Sequence, residues 1–167
     1  MDKRYWTLGI QLISICLLDS VQLADAQPVI FLLRHAEPSV EVEDPPLTEL
    51  GQRRAMALAT LLKDAGINTI YTSDRKRAIQ TAEPIARLLN IESRRLPIRD
   101  RDGLISRLRA HAAHDRVLVI SHSLAVPYLL KALGHPADIT IAPKEFDDLF
   151  VILPKSDSAP IVLRLHY

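Results

Sequence analysis

Two histidines occupy equivalent positions behind apolar segments of the chain. The segments cover residues 29–33 and 117–120, and one polar residue separates each segment from its histidine, His35 or His122. An uninterrupted apolar segment of this length is typical of a strand buried on both faces. Open α/β sheets place their ligands at the carboxyl ends of such strands. If the two strands are neighbours, both imidazoles face one crevice, where a neutral imidazole can be a nucleophile, a base or a metal ligand.

Cationic side chains lie at the end of the first of these strands and at the end of a third predicted strand. Arg34 directly precedes His35, and the segment 71–77 carries Arg75 and Arg77 at another strand-to-helix turn. Arginine is the side chain best suited to bind a phosphoryl group through two parallel hydrogen bonds. No cysteine and no obvious cluster of carboxylates accompanies these residues. The pattern therefore favours a phosphate site with an imidazole nucleophile over a metal site, and we expect neither a metal nor a cofactor.

Strand-like and helix-like segments alternate along the chain. This alternation predicts an α/β fold, a three-layer sandwich in which a mostly parallel central sheet has helices on both faces. Thr48 and Ser123 are predicted helix caps, as is Ser73 or Asp74 for the second helix. Residues 91–102 are polar and basic and predict no element. Strands are predicted at 29–33, 69–71, 117–120, 149–153 and 161–165, and helices after Thr48, after Ser73, at 104–113 and at 124–133.

The first 26 residues have the layout of a secretory signal peptide. Lys3 and Arg4 precede an uncharged stretch, residues 7–18, and Ala24 and Ala26 are small residues at the positions that a signal peptidase reads. The apolar stretch is shorter than the ~20 residues that a membrane-spanning helix needs. We therefore predict a signal peptide at 1–26, a single domain at 27–167, export to the periplasm or the medium, and no stable membrane anchor after cleavage. The alternative is an N-terminal amphipathic helix or a strand of the fold.

The composition of the chain argues against a nucleic acid as its binding partner. The net charge is +1 and 25% of the residues are charged, so the chain carries no broad basic surface for nucleic acid. The only cysteine, Cys16, falls in the predicted signal peptide, so no disulfide is expected in the mature domain. We expect a small phosphorylated molecule as the partner rather than a nucleic acid.

Four segments together resemble one known family. Leu33 to Glu37 resembles the Arg-His-Gly/Ala signature of the histidine phosphatase superfamily, which includes the phosphoglycerate mutases. Residues 46–55 resemble its Pro-Leu-Thr-x-x-Gly helix entry, residues 73–82 its Ser-x-x-x-Arg-Ala-x-x-Thr-Ala segment, and residues 120–123 its second-histidine segment. Each motif alone is weak, but the four fall in the family's order. The chain resembles a short member without a cap insertion.

The resemblance implies a mechanism. His35 would attack phosphorus and form a phosphohistidine, while Arg34, Arg77 and His122 surround the phosphoryl oxygens and stabilise the developing charge. Water would then hydrolyse the intermediate, without a metal. Arg75 is a further candidate for a phosphate or substrate contact, although a charge at a helix start is commonly solvated.

The general acid of many family members has no clear counterpart here. The candidates by position are four carboxylates: Glu37, Glu92, Asp100 and Asp102. The segment between Arg77 and His122 is too short for the insertions with which mutases hold and reorient their substrates. Hydrolysis of substrates with good leaving groups needs little help from an acid.

Three functions remain open at this point. The first is a metal-independent phosphohydrolase that cleaves phosphomonoesters through a phosphohistidine, as a histidine acid-type phosphatase does. The second is a protein phosphohistidine phosphatase, which the short form without a cap suggests. The third is a non-catalytic module that binds phosphate ligands in the basic crevice.

Overall fold

The computed structural model describes residues 27–40 and 42–167, so the predicted signal peptide lies outside the described residues. Ten elements follow one another along this part of the chain. In order they are β1 (Val29–Arg34), α1 (Glu49–Leu62), β2 (Thr69–Ser73), α2 (Lys76–Leu89), β3 (Ser93–Leu96), α3 (Arg101–Arg109), β4 (Arg116–Ser121), α4 (Ala125–Ala132), β5 (Asp148–Leu153) and β6 (Ile161–His166).

The strands form a single six-stranded sheet in the order β3-β2-β4-β1-β5-β6. The pairs β2–β3, β2–β4 and β1–β4 are parallel. On the other side of β1, β5 pairs antiparallel with β1, and β6 pairs antiparallel with β5. The mostly parallel sheet predicted from the sequence is confirmed. Because β1, β2 and β4 are parallel neighbours, their carboxyl ends meet at one edge of the sheet.

The apolar segment in β1 serves both faces of the sheet. Ile30 and Leu32 pack with residues of α3 and α4, whereas Phe31 and Leu33 pack with residues of α1 and α2. Successive side chains of a strand point to opposite faces, so a strand covered on both sides needs apolar residues at every position. The helices thus form the two outer layers, as the three-layer prediction requires.

Some local boundaries differ from the sequence prediction. Strand β3 was not predicted, since it is a short edge strand whose Arg94 and Arg95 are exposed and give it no apolar pattern. Helix α3 begins at Arg101 and ends at Arg109, so it lies earlier than residues 104–113. Its real start is capped by Asp100, whose carboxylate accepts a hydrogen bond from the Gly103 N–H at 3.1 Å.

The predicted helix caps have different outcomes. Thr48 caps α1, and its hydroxyl accepts a hydrogen bond from the Gly51 N–H at 3.1 Å. The N-cap positions of α2 and α4 are instead Arg75 and Leu124, without side-chain caps. The predictions for Ser73, Asp74 and Ser123 were therefore wrong. The Ser73 hydroxyl has another partner, described below.

Among the residues that the structure describes, no helix combines the length and the apolar character that crossing a membrane requires.

Candidate active site

The two histidines meet at the carboxyl ends of β1 and β4. Arg34 is paired with Ser121 in the register of these strands, and the His35 N–H donates to the Ser121 carbonyl at 2.9 Å. The ring centroids of His35 and His122 consequently lie 5.1 Å apart, with 61° between the ring planes. The parallel pairing of two strands thus brings together residues that are far apart in the chain.

The hydrogen bonds of His35 define its tautomer. Its Nδ1 lies 2.8 Å from the Ala36 carbonyl oxygen, which can only accept, so Nδ1 carries the proton. Its Nε2 lies 3.1 Å from Nε of Arg77, which can only donate, so Nε2 keeps its lone pair. The ring is therefore neutral, with an unprotonated Nε2 beside a guanidinium.

The surroundings of His35 keep it neutral. Burial lowers the pKa of His35 to about 4, and the positive charges of Arg77 and Arg34 act in the same direction. The hydrogen bond to the Ala36 carbonyl opposes this shift in part. A neutral imidazole with a free lone pair is the form that can attack an electrophile such as phosphorus.

Arg77 stands on the first turn of α2 and points toward His35. Its Nη1 lies 3.7 Å from Oδ1 of Asp44, so a carboxylate partly balances its charge. Thr81, one turn further along α2, donates to the Arg77 carbonyl at 2.7 Å and accepts from the Ala36 N–H at 3.0 Å. Thr81 thereby fixes the helix start against the end of β1.

His122 is held by a serine from the neighbouring strand. Its Nε2 lies 2.8 Å from Oγ of Ser73, and the same hydroxyl accepts from the Arg75 N–H at 3.3 Å. The pKa of His122 is lowered to about 3. Burial is the largest cause, and the nearby His35, Arg77 and Arg75 lower the pKa further. His122 is therefore neutral as well in the free protein.

Arg34 is anchored by the segment between α4 and β5. Its Nη1 donates to the carbonyl oxygens of Ala142, Pro143 and Glu145 at 3.0 to 3.2 Å. The ring of Phe146 lies 3.9 Å from its guanidinium carbon. Its Nε is buried and has no acceptor among the described residues, whereas the side chain as a whole lines the cleft described below. Burial and the charge of Arg77 lower the pKa of Arg34.

A cleft of about 560 Å³ opens above these four side chains. Arg34, His35, Arg77 and His122 all line it, so the structure brings together the four residues assigned to catalysis from the sequence. Arg donors can bind an anion here, and a neutral imidazole adjoins them. The chemistry that this arrangement supports is nucleophilic attack on a bound phosphoryl group.

Glu37, one of the candidate acids, does not line the cleft. Its carboxylate accepts from Nε of Arg54 at 2.8 and 3.0 Å, and Nη2 of Arg54 lies 2.7 Å away. Arg54 also donates to the carbonyl of Tyr167. Glu37 therefore joins the end of β1 to α1, and its assignment as a possible general acid stays a prediction.

The other three carboxylates lie outside the cleft too. Asp100 caps α3, and Asp102 accepts from the hydroxyl of Tyr128 at 2.9 Å. Glu92 precedes β3, at the opposite edge of the sheet from the histidines, because β3 runs parallel to β2. Asp100 also lines a small neighbouring pocket together with His122. The assignment of these three carboxylates as possible general acids stays a prediction.

Arg75 lies near the site but not in the cleft. It is the N-cap residue of α2, forms a loose ion pair with Asp74 at 4.0 Å and does not line the cleft. Its charge still contributes to the low pKa of His122. The structure thus gives Arg75 an electrostatic influence on the site without direct access to it.

Several residues around the site were not predicted from the sequence. Glu43 lines the cleft and Asp44 lies beside Arg77, so these are the carboxylates placed near the chemistry. Both residues lie in the acidic loop 38–46, but no neighbouring sequence feature indicated that this loop lies beside the site. Phe146, which packs on Arg34, is more than a hundred residues away from it in the sequence. Only its aromatic side chain could have suggested a contact with a cation.

No group of three or more His, Cys, Asp or Glu side chains that could hold a metal ion occurs within residues 27–40 and 42–167.

Fold and site together define an α/β protein with two neutral histidines and two arginines at the carboxyl edge of its sheet. Residues 30–105 match the family model of the histidine phosphatase superfamily (branch 1). The matched stretch is just under half of the chain, and it supports the resemblance found in the sequence.

Curated relatives match over a limited stretch. The chain is 44% identical over 64 residues to "Probable phosphoglycerate mutase GpmB" of Cronobacter sakazakii and 42% identical over 64 residues to the Proteus mirabilis protein of that name. Each match covers 34% of this chain and 30% of the relative. The matched part thus spans less than a third of these relatives.

Solved structures share the fold over most of the chain. The protein histidine phosphatase SixA complexed with tungstate aligns with a TM-score of 0.70 at 22% identity, covering 83% of this chain and 96% of that one. A phosphoserine phosphatase from Entamoeba histolytica, in complex with 3-phosphoglyceric acid, aligns with a TM-score of 0.64 at 14% identity, covering 84% and 97%. At these identities the likeness establishes the fold.

Proposed function

We propose that this chain is a metal-independent phosphohydrolase that cleaves phosphomonoesters through a phosphohistidine at His35. One observation carries the proposal: Nε2 of His35 is unprotonated, faces the cleft and lies 3.1 Å from the Arg77 guanidinium. A nucleophile and a cation for the phosphoryl oxygens are therefore already in contact. This is the geometry that phosphoryl transfer to an imidazole requires.

The first step transfers the phosphoryl group to His35. The lone pair of Nε2 forms the bond to phosphorus while the bond between phosphorus and the ester oxygen breaks, and the leaving oxygen takes a proton from solvent. The ring becomes cationic, and the hydrogen bond from Nδ1–H to the Ala36 carbonyl, 2.8 Å long, stabilises that charge. In the second step water attacks phosphorus, the nitrogen–phosphorus bond breaks, and Nε2 recovers its lone pair.

The two arginines stabilise the negative charge on the phosphoryl oxygens. Arg77 changes its acceptor from Nε2 of His35 to a phosphoryl oxygen as Nε2 enters the bond with phosphorus. Arg34, which lines the cleft, supplies a second guanidinium, fixed in place by three backbone carbonyls. A fixed donor needs no reorganisation when charge develops, which is the main advantage of such a site over water.

The low pKa of His35 supports the acid-type subclass of phosphatase. Its nucleophile stays unprotonated as the pH falls from neutrality to about 4, so attack on phosphorus continues in acid. None of the four candidate acids lines the cleft, and Glu43 is the one carboxylate among the described residues that does. With at most this one group to assist the leaving oxygen, we expect a preference for small phosphomonoesters whose alcohol is a good leaving group.

Trapping the intermediate tests this function. Enzyme quenched in acid-free denaturant after mixing with a ³²P-labelled phosphodonor is expected to carry phosphate that is stable in base and labile in acid. His35→Ala should lose both the label and turnover, whereas His114→Ala, which changes an exposed histidine, should keep them. Tight phosphate binding without turnover on a broad panel would refute the proposal and favour the non-catalytic binding module.

A protein phosphohistidine phosphatase is the second candidate. It is favoured by the fold shared with SixA, a protein histidine phosphatase, and by the absence of the candidate acids from the cleft lining, because a phosphohistidine needs little help to leave. A phosphohistidine peptide and p-nitrophenyl phosphate, compared by kcat/KM, separate the two. A peptide preference above about a hundredfold would favour this candidate, and the reverse order would exclude it.

The same proposal places the enzyme outside the cytoplasm. The support is the sequence of residues 1–26, with two basic residues, an uncharged stretch and Ala24 and Ala26 before Gln27. Expression of the full chain in a bacterial host should give a periplasmic product whose N-terminal residue is Gln27. A full-length product that stays in the cytoplasm would contradict export.

A further inference from the structure

Three exposed apolar side chains surround the mouth of the cleft. Val40 and Val42 come from the loop after β1, and Leu124 precedes α4. Their relative exposures are 94%, 55% and 78%, and Val40 and Leu124 are the two most exposed large apolar residues in the described part of the chain. All three line the cleft that holds His35. We call these three residues the apolar rim.

The position of the apolar rim distinguishes it from ordinary surface. Single exposed apolar residues are common on proteins and need no explanation. Here three from two separate elements converge on one cleft, and Pro38, Pro45 and Ile98 extend the same apolar wall. A concave apolar wall beside a few polar groups is typical of a small-molecule site.

Apolar side chains also outnumber charged ones on the rest of the cleft wall. Beyond Arg34 and Arg77, the charged residues of the lining in the described part of the chain are Glu43 and Arg101. The Arg101 guanidinium lies 5.5 Å from the ring of Tyr128. Away from the histidines and these charged groups, most of the described lining residues are apolar.

The cleft is also larger than a phosphoryl group. Its volume of about 560 Å³ lies within the range of pockets that hold drug-sized ligands. A phosphoryl group bound by Arg34 and Arg77 at the floor leaves most of this space to the rest of the substrate. That remainder must pass between the apolar residues of the rim.

We propose that the alcohol part of the substrate is an uncharged apolar group, aryl or alkyl, which packs against the apolar rim while its phosphate lies between Arg34 and Arg77. This inference rests on the proposed phosphohydrolase function and narrows its substrate class. Phosphoesters that carry a second anionic group, such as a phosphorylated hydroxy acid, are disfavoured because the apolar rim offers that group no hydrogen bond in exchange for its hydration.

Phosphonates test the inference without depending on turnover. Binding of phenylphosphonate and hexylphosphonate is compared with that of methylphosphonate by calorimetry. Burial of the additional apolar surface is expected to make the larger ligands bind about tenfold more tightly. Leu124→Ser and Val40→Ser should each reduce this ratio by about threefold. Leu61→Ser, which changes an exposed apolar residue of α1, should leave the ratio unchanged.

A kinetic arm separates the two proposals. For the active enzyme, kcat/KM for 1-naphthyl phosphate should exceed that for 3-phosphoglycerate by at least about tenfold, and Leu124→Ser should narrow the difference. Turnover without such a preference, together with equal phosphonate affinities, would overturn the inference and leave the phosphohydrolase function standing. A phosphonate preference without turnover would instead overturn the function alone.

The same variants distinguish a protein partner. If the apolar rim docks a phosphorylated protein, Leu124→Ser and Val40→Ser would weaken binding of a phosphohistidine peptide and leave the phosphonate ratio unchanged. That outcome would overturn the inference of a small apolar substrate.

Discussion

Nε of Arg77 donates a hydrogen bond to Nε2 of His35 over 3.1 Å. The bond joins the first turn of α2 to the end of β1, and it both aligns the imidazole and places positive charge where the phosphoryl oxygens would lie. The nucleophile and its electrostatic partner are thus preorganised in the free protein. Catalysis by such an arrangement depends on the donor geometry as well as on the charge.

The first prediction concerns this bond. Arg77→Met is expected to lower kcat by about 10² to 10³, which is the cost of removing one preorganised donor from a site of developing charge. Arg77→Lys keeps the charge but not the planar guanidinium, and should recover only part of the rate. Arg87→Lys, on the exposed side of α2, is the matched control. Steady-state kinetics that place Arg77→Met within threefold of wild type would contradict the role of this residue.

The second prediction concerns Ser73 as a positioning residue for His122. Ser73→Ala removes the partner of His122 Nε2 at 2.8 Å, and the freed ring is expected to lower kcat by about tenfold with a smaller change in KM. Ser73→Thr keeps a hydroxyl and should restore most of the rate. Equal losses in the alanine and threonine variants would show that Ser73 acts through packing alone.

The third prediction concerns stability in acid. Both imidazoles have pKa values lowered from 6.5 in the folded protein, to about 4 for His35 and about 3 for His122. As the pH falls below 6.5 the unfolded chain binds these protons first, so their contribution to stability is complete above 6.5 and is lost progressively toward pH 4 and below. Urea unfolding at pH 7, 5.5 and 4.5 should show this loss.

His35→Asn is the variant that isolates the effect. Its unfolding free energy should fall less steeply than that of wild type over the same pH interval, since one of the two shifted groups is gone. Parallel curves for the two proteins would mean that His35 ionises equally easily in the folded and unfolded states.

The fourth prediction separates a structural Glu37 from a catalytic one. Glu37→Gln leaves Arg54 without its half-buried partner and should cost about 1–3 kcal/mol of unfolding free energy. The acid and base limbs of the activity profile should stay in place. The control is Glu49→Gln, whose ion pair with Arg53 is exposed and is worth ~0.5 kcal/mol or less. A change confined to the basic limb of the profile would support Glu37 as the acid.

The fifth prediction concerns Gly51 in α1. A Cβ there would lie 2.4 Å from the backbone oxygen of Glu37, and backbone cannot move aside as the end of a flexible side chain can. Gly51→Ala should therefore destabilise the protein by about 1–3 kcal/mol, although alanine favours helices in general. Gln52→Ala, at the exposed next position, should be neutral or slightly stabilising. Chemical denaturation measures both, and a stable Gly51→Ala would mean that the helix can shift.

The sequence alone determined the framework of this protein. Periodicity and the apolar segments predicted five of the six strands of the described sheet, all except β3, and they placed His35 and His122 at the ends of two strands. These features are local: a strand buried on both faces must be apolar at each position, and a polar residue after it must lie at the sheet edge. The resemblance to the histidine phosphatase superfamily, which the match of residues 30–105 supports, rests on short motifs of the same kind.

Tertiary structure decided which partner each side chain finds. Nothing near Glu37 in the sequence indicates that Arg54 binds it, and nothing near Arg34 indicates that carbonyls beyond residue 141 hold its guanidinium. Strand β3 likewise owes its place to hydrogen bonds with β2, since its two central residues, Arg94 and Arg95, are exposed and charged. The position of a residue directly after an apolar strand determines that it lies at the edge of the sheet. Its hydrogen bonds and burial, and hence its pKa and its role, depend on loops that arrive from distant parts of the chain.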